Sequence, residues 1–359
     1  MKKVILITIF VLFSSVSFAE ISTDFKWGKV FNSVVLVSGE NTAEISGPDA
    51  INPNTLPHGE EEEPKFDSFK RRIIPYGMGT GFFINEFHIV TNYHVIKNFE
   101  KLSIYAFNHL FAITDVTVVG YDAEIDIAVL QINEDVVHDY LKWSDTAPII
   151  GSDVYALGHG MSQVWSLTKG ILSYDYRQNP GTSFVHYIQT DAVINSGNSG
   201  GPLLNEDGEV IGVNTLLISP DKYYVGYGYV IPTPLVKRAV TQILATGEHV
   251  KPFMGILMGH IEDQDQYAEL KANGVNHYLE IKEVTKNSPA ERFGLKAGDI
   301  IVSIDDKDIQ VVPQVIELLW ERNPGDQVSF KVYRDYEYHI IDLVLGTSKK
   351  EPAVVITPK

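Results

Sequence analysis

Three short segments of this 359-residue chain hold the residue types of a nucleophilic hydrolase. One runs Asp191-Ala-Val-Ile-Asn-Ser-Gly197-Asn198-Ser199-Gly-Gly201-Pro202. Glycines on both sides of Ser199 open backbone dihedrals closed to other residues. Successive N–H groups can then converge on one point and stabilise a developing oxyanion there. A serine is a weak nucleophile at neutral pH and needs a general base. Thr91-Asn-Tyr-His94-Val95 supplies one, and Asp122-Ala-Glu-Ile-Asp126-Ile-Ala-Val-Leu130 brings an acidic residue into an apolar strand. Taken singly, each has a plain structural reading. The glycine segment reads as a hairpin turn, the histidine as a core residue (as His88 does), and the aspartate as a strand cap. All three together, in this order and each at a strand end, read as a His-Asp-Ser triad.

That order is the one found in chymotrypsin-type β-barrel proteases, and the surrounding segments narrow the resemblance. Gly79-Thr-Gly81, Thr91-Asn-Tyr-His94-Val95, Asp126-Ile-Ala-Val-Leu130 and Gln189-Thr-Asp-Ala-Val-Ile-Asn195 run up to Gly197-Asn-Ser-Gly-Gly201. Gly212-Val-Asn-Thr215 and Gly226-Tyr-Gly-Tyr-Val-Ile-Pro232 follow. As a set these resemble the HtrA/Deg family of serine proteases, over nearly the whole chain after residue 25. The resemblance implies His94 as general base, Asp126 as its orienter and Ser199 as nucleophile. The amides of Gly197 and Ser199, with Asn198 between them, would form the oxyanion hole. It also implies a trimer built from protease domains, or a higher homo-oligomer, with Phe25 and Trp27 as apolar contacts. Two positions depart from the family pattern. His159-Gly160 stands where an Asn-Pro pair is usual, and Ser196 where Pro or Arg is common.

The elements that must position these residues are mainly β. From Phe25 to about Gly247, short runs such as Ser33-Val-Val-Leu-Val37, His88-Ile-Val90 and Val210-Ile-Gly-Val213 alternate with turns. This pattern suits a chymotrypsin-like double β-barrel over residues 25–247. Residues 41–76 break it with five prolines and the run Glu60-Glu-Glu-Glu63, and read as a long flexible loop. Leu235–Leu244 reads as an amphipathic helix before the boundary at Thr246-Gly247-Glu248.

A second, α+β domain is expected over 250–347. Ser288-Pro-Ala-Glu291 is a helix start, with Ser288 as N-cap, Pro289 at N1 and Glu291 completing a capping box. Gly294 ends that helix, 312–321 forms another, and 327–334 with 337–345 closes as a hairpin. The segment resembles a PDZ domain, which implies that Phe253-Met254-Gly255-Ile256 is a carboxylate loop for peptide C-termini, the peptide adding as a strand. A degenerate PDZ used only for packing is the alternative. Residues 348–359 read as a disordered tail.

Composition bounds the partners. A net charge of −17 with no basic stripe argues against nucleic acid. Residues 1–19 combine Lys2 and Lys3, the apolar run from Val4 to Phe13, and small residues Ser17 and Ala19: a cleaved secretory signal. The apolar run is too short for a bilayer span, which takes about 20 residues. The expected location is periplasmic or secreted. The chain has no cysteine, so neither lipid attachment at cysteine nor a disulfide is available. No metal-ligand spacing or nucleotide fingerprint is present, so no cofactor is expected.

Val193 and Ile194, with Leu216, Leu217 and Ile218 in a later loop, are expected to wall the primary specificity pocket. No acidic residue stands there, which points to aliphatic side chains and to unfolded proteins or peptides as substrates. Three functions stay open at this level. They are an ATP-independent endopeptidase for misfolded proteins, a PDZ-gated protease with one dedicated substrate, and a binding protein or chaperone with a latent triad.

Overall fold

The computed structural model describes residues 27–40, 78–107, 109, 111–160, 163–178, 185–217 and 226–347. The signal at 1–19, Phe25, the loop at 41–76, Ile218 and the tail at 348–359 lie outside the described residues. Chain contacts divide the protein into two compact units. One comprises residues up to Gln178 with Tyr187–Val240; the other runs from Thr241 onward with a short segment ending at His186.

In the first unit, α1 (Gly28–Ser33) leads into β1 (Val34–Glu40), β2 (Met78–Phe83), β3 (His88–Thr91), β4 (Lys101–Ala106), β5 (Val116–Asp122) and β6 (Ile127–Ile132). These pair antiparallel in the order β4-β1-β2-β3-β6-β5 around a core that includes Val35, Phe83, Ile89, Ile104 and Leu130. Ile113 exchanges both backbone bonds with Ile104, so the segment entering β5 folds back onto β4. The next six strands are β7 (Asp153–Gly158), β8 (Ser166–Gln178), β9 (His186–Thr190), β10 (Pro202–Leu204), β11 (Val210–Leu217) and β12 (Gly228–Pro232). They close into a barrel, which leaves no strand edge open. Val154, Leu172, Ile188, Leu203 and Val230 fill it.

The one-turn helix α2 (Tyr93–Ile96) carries His94 and sits hard against β2. A Cβ on Gly79 would lie 2.5 Å from a Val95 methyl, so the glycine permits that approach. Trp27, expected as an apolar contact between subunits, packs its ring 4.7 Å from that of Tyr155 and is 9% exposed within its own chain.

In the second unit β14 (Ile256–His260), β15 (Leu279–Val284), β16 (Ile300–Ile304), β18 (Gln327–Arg334) and β19 (Glu337–Val344) form a sheet in that order. The short β17 (Lys307–Asp308) pairs with β16, and β13 (Pro252–Phe253) pairs with β20 (Gly346–Thr347). Helix α5 (Pro289–Phe293) starts at Ser288, whose hydroxyl accepts the Glu291 N–H, and ends at Gly294 with φ of 92°. The expected capping box is shifted by one residue: the Glu291 carboxylate accepts the N–H of Asn287, not of Ser288. Helix α6 (Val312–Trp320) buries Val315, Ile316 and Leu318, as its spacing predicts. Helix α4 (Gln264–Ala272) is absent from the sequence reading because Leu270 is its one buried residue, so no apolar stripe announces it. Asp263 caps it instead, accepting from Asp265 N–H and Gln266 N–H.

His159, just beyond β7, is fully buried. Its ring meets Trp165 edge-on at 5.0 Å, and its Nδ1 lies 3.0 Å from the Thr80 hydroxyl. Burial pushes its pKa down to about 3 from an ordinary 6.5. The unfolded chain therefore takes up this proton near pH 6.5, while the folded chain refuses it until about pH 3. Stability is unaffected above pH 6.5 and falls as pH drops through that window, by at most about 1.4 kcal/mol per pH unit from this group. Denaturant midpoints measured from pH 7 to pH 4 should fall more steeply for the wild type than for His159→Gln. Parallel curves would show that His159 titrates alike in both states.

Candidate active site

Asp126 gathers the site. It follows the turn after β5 with φ of 59°, a left-handed conformation that aspartate tolerates better than most residues. Its Oδ1 accepts the backbone N–H of His94 at 2.8 Å, and its Oδ2 faces His94 Nδ1 at 2.6 Å. The Thr215 hydroxyl on β11 donates to the same Oδ2 at 2.8 Å. Behind it, the Asp126 carbonyl accepts from Asn92 Nδ2 at 2.8 Å and from Tyr93 N–H at 3.2 Å. An ionised carboxylate only accepts, so Nδ1 of His94 carries the proton and Nε2 presents a lone pair. That is the tautomer a general base needs. The neighbouring acid, Asp122, is 5% exposed and caps its own turn by accepting from Glu124 N–H and Ile125 N–H, which leaves it a structural part.

Ser199 lies in the turn between β9 and β10. Gly197 and Gly200 take φ of 102° and 85°. A Cβ on Gly197 would come within 2.4 Å of the His159 carbonyl, and one on Gly200 within 2.1 Å of the Thr80 carbonyl, so the turn accepts nothing larger than glycine at either place. The Asn198 carbonyl accepts Gly201 N–H at 3.0 Å. Because N–H and C=O point oppositely across a trans peptide, this aims the Ser199 N–H outward from the turn. Neither Ser199 N–H nor Gly197 N–H has an acceptor among the described residues. Asn198 differs: its N–H donates to Asn195 O at 2.9 Å, and its Nδ2 to Val193 O at 3.3 Å. It shapes the turn, leaving two amides rather than three to face an oxyanion.

The Ser199 hydroxyl donates to the Thr215 carbonyl at 3.2 Å, and no hydrogen bond joins it to His94 among the described residues. Thr215 thus bonds Ser199 through its carbonyl and Asp126 through its hydroxyl. The sequence reading missed its role, although Gly212-Val-Asn-Thr215 stood out as a motif.

Of the expected pocket residues, Val193 is 37% exposed, while Ile194 is 1% exposed and packs in the barrel core. Of the two, only Val193 presents its side chain to solvent. Leu216 and Leu217 pair through their backbones with Tyr229 and Gly228; their side chains are outside the described part. In the second unit, the Met254 and Gly255 carbonyls accept from Ala290 N–H and Thr285 N–H. The N–H groups of Met254 and Gly255 have no acceptor among the described residues, and β14 beside them is a sheet edge. Phe253 lies in β13 and Ile256 opens β14. That layout can take an extended chain ending in a carboxylate.

Residues 79–213 match a trypsin-like peptidase domain, and residues 252–345 a PDZ domain. The serine protease Do-like HtrA of Bacillus subtilis is 36% identical over 264 residues, covering 69% of this chain and 58% of that protein. A probable periplasmic serine endoprotease, DegP-like, of Chlamydia muridarum is 34% identical over 279 residues, covering 77% and 55%. The chain thus spans less than two thirds of the length of these curated relatives. A solved HtrA-type protease, AlgW with tripeptide, superposes with a TM-score of 0.68 at 25% identity, covering 76% of this chain and 90% of that one. The serine endoprotease from Yersinia pestis shares the fold, with a TM-score of 0.61 at 23% identity over 90% and 97%. No helix among the described residues is long and apolar enough to cross a membrane. With a trypsin-like domain and a PDZ domain in sequence, and relatives above 30% identity over more than two thirds of its length, the chain belongs to the HtrA/Deg family of serine proteases.

Proposed function

We propose that this protein is an exported, ATP-independent serine endopeptidase that cleaves unfolded or misfolded proteins after aliphatic residues. Ser199 is the nucleophile, His94 the general base and Asp126 its orienter, and the amides of Gly197 and Ser199 hold the oxyanion. The observation that carries this reading is the bond from His94 to Asp126, which leaves Nε2 of His94 as the acceptor, with Thr215 linking Asp126 to Ser199 in a glycine turn that has two unspent N–H groups. In acylation, Ser199 Oγ attacks the scissile carbonyl while its proton passes to Nε2. The carbonyl oxygen gains charge opposite the two amides, and His94 then returns the proton to the leaving amine. Thr215 stabilises the Asp126 charge throughout.

Export to the periplasm or beyond rests on the leader-like residues 1–19 and on relatives named periplasmic. Assembly as a homotrimer or higher homo-oligomer rests on the family resemblance. A gated form of the same protease is favoured by one detail, the Ser199 hydroxyl resting on Thr215 instead of His94. In that form a peptide C-terminus bound along Phe253-Met254-Gly255-Ile256 shifts the population toward the catalytic rotamer, which it can do only by favouring one state over the other.

Purified protein should digest casein, and Ser199→Ala should abolish digestion without loss of fold. Asp126→Asn should lower kcat by a factor on the order of 10⁴, since an amide can hold the wrong His94 tautomer. Equal loss from Asp122→Asn with none from Asp126→Asn would reassign the orienter. A peptide with an apolar C-terminal residue and a free carboxylate should bind by calorimetry, and its amidated form should not, because amidation sets donors against donors. Equal affinity for the two would remove the carboxylate loop from the account. Binding without any change in cleavage rate would make the PDZ domain a tether.

A further inference from the structure

We infer that Thr80, held by His159, is a positioning residue that pre-sets the Gly197 half of the oxyanion hole. This rests on the protease reading above and adds two residues to it. The carbonyls that flank the nucleophile both turn back onto Thr80. Its hydroxyl donates to Gly197 O at 2.6 Å, and its N–H donates to Ser199 O at 2.8 Å. A hydroxyl has one proton and two lone pairs. With the proton spent on Gly197, both lone pairs are left for His159, whose N–H lies 3.2 Å away and whose Nδ1 lies 3.0 Å away. Nδ1 of His159 must therefore be a donor. Its Nε2 is then an unprotonated, buried nitrogen, in keeping with the absence of any partner for it among the described residues.

The two oxyanion donors are anchored unequally. The Asn198–Ser199 peptide is fixed by its own carbonyl on Gly201 N–H. The Ser196–Gly197 peptide has no such anchor, for no donor reaches the Ser196 carbonyl among the described residues. The aim of the Gly197 N–H then depends on the dihedrals of a glycine, which has little steric preference of its own. The nearest fixed point is the following peptide, pinned at Gly197 O by Thr80 and at Asn198 N–H by Asn195 O. Loss of the Thr80 hydroxyl leaves that plane pinned only at Asn198 N–H and widens the range of aims open to the Gly197 donor. His159 both orients the hydroxyl and presses its own carbonyl against Gly197, where an Asn-Pro pair is usual in the family.

The test compares Thr80→Val, which keeps the shape and removes the hydroxyl, with Thr80→Ser, which restores it. Thr80→Val should lower kcat about tenfold or more with KM little changed, short of the 10²–10³ lost when a donor is deleted outright. Affinity for a peptide boronic acid, which mimics the tetrahedral state, should fall by the same factor, and Thr80→Ser should recover most of both. Thr80→Val that folds, by circular dichroism, and turns over like the wild type would overturn the inference. Wild-type digestion that persists in Ser199→Ala would instead overturn the protease reading itself. Should Thr80→Val fail to fold, ¹⁵N NMR of His159 in the wild type decides. Protonated Nδ1 with bare Nε2 is expected, and the opposite tautomer contradicts the anchor.

Discussion

The Asp126 carboxylate is where the two six-stranded halves of the protease unit meet in chemistry. Donors come to it from α2, through the His94 backbone and ring, and from β11, through the Thr215 hydroxyl, while its own turn enters β6. Left-handed backbone costs an L-residue roughly 1–2 kcal/mol. Hydrogen bonds to a charged group contribute about 1.5–3 kcal/mol each, so three of them outweigh that cost. The consequence is mechanical as well as electrostatic. The position and tautomer of His94 are set by one group, which in turn is held from both halves. Everything downstream, including where the Ser199 hydroxyl has to swing, is measured from this point.

The turn that bears Ser199 follows a different logic. Here backbone does the work, and side chains serve to orient it. Gly197 O, Asn198 O and Ser199 O are each satisfied inward, by Thr80, Gly201 and Thr80 again, while the N–H groups of Gly197 and Ser199 have no acceptor among the described residues. A site of this kind is poised before substrate arrives, which is what makes its dipoles more effective than those of water. The Ser199 hydroxyl is the part not yet engaged. Its bond to Thr215 O is weak by distance, 3.2 Å.

Much of this was legible in the chain. Ser199, His94 and Asp126 declare themselves through glycine punctuation and strand ends, both of which are local signals. Helix α5 did so through Ser288, Pro289 and Gly294, and α6 through its apolar spacing. Thr215, Thr80 and His159 did not, because each bonds a partner in the other half of the unit, far along the chain, and lacks any periodicity that would mark it. Nor does adjacency to Ser199 in sequence say which face of a closed barrel Ile194 takes; it packs in the core. The packing of Trp27 on Tyr155, distant in sequence, likewise has no local signal.

The central claim, that Ser199 is the activated nucleophile of an acyl-transfer site, has one direct measurement. Full-length protein treated with a fluorophosphonate and digested for mass spectrometry should carry a single adduct, on the peptide containing Ser199, with labelling lost in His94→Ala. An adduct on Ser196, or labelling indifferent to His94, would contradict it.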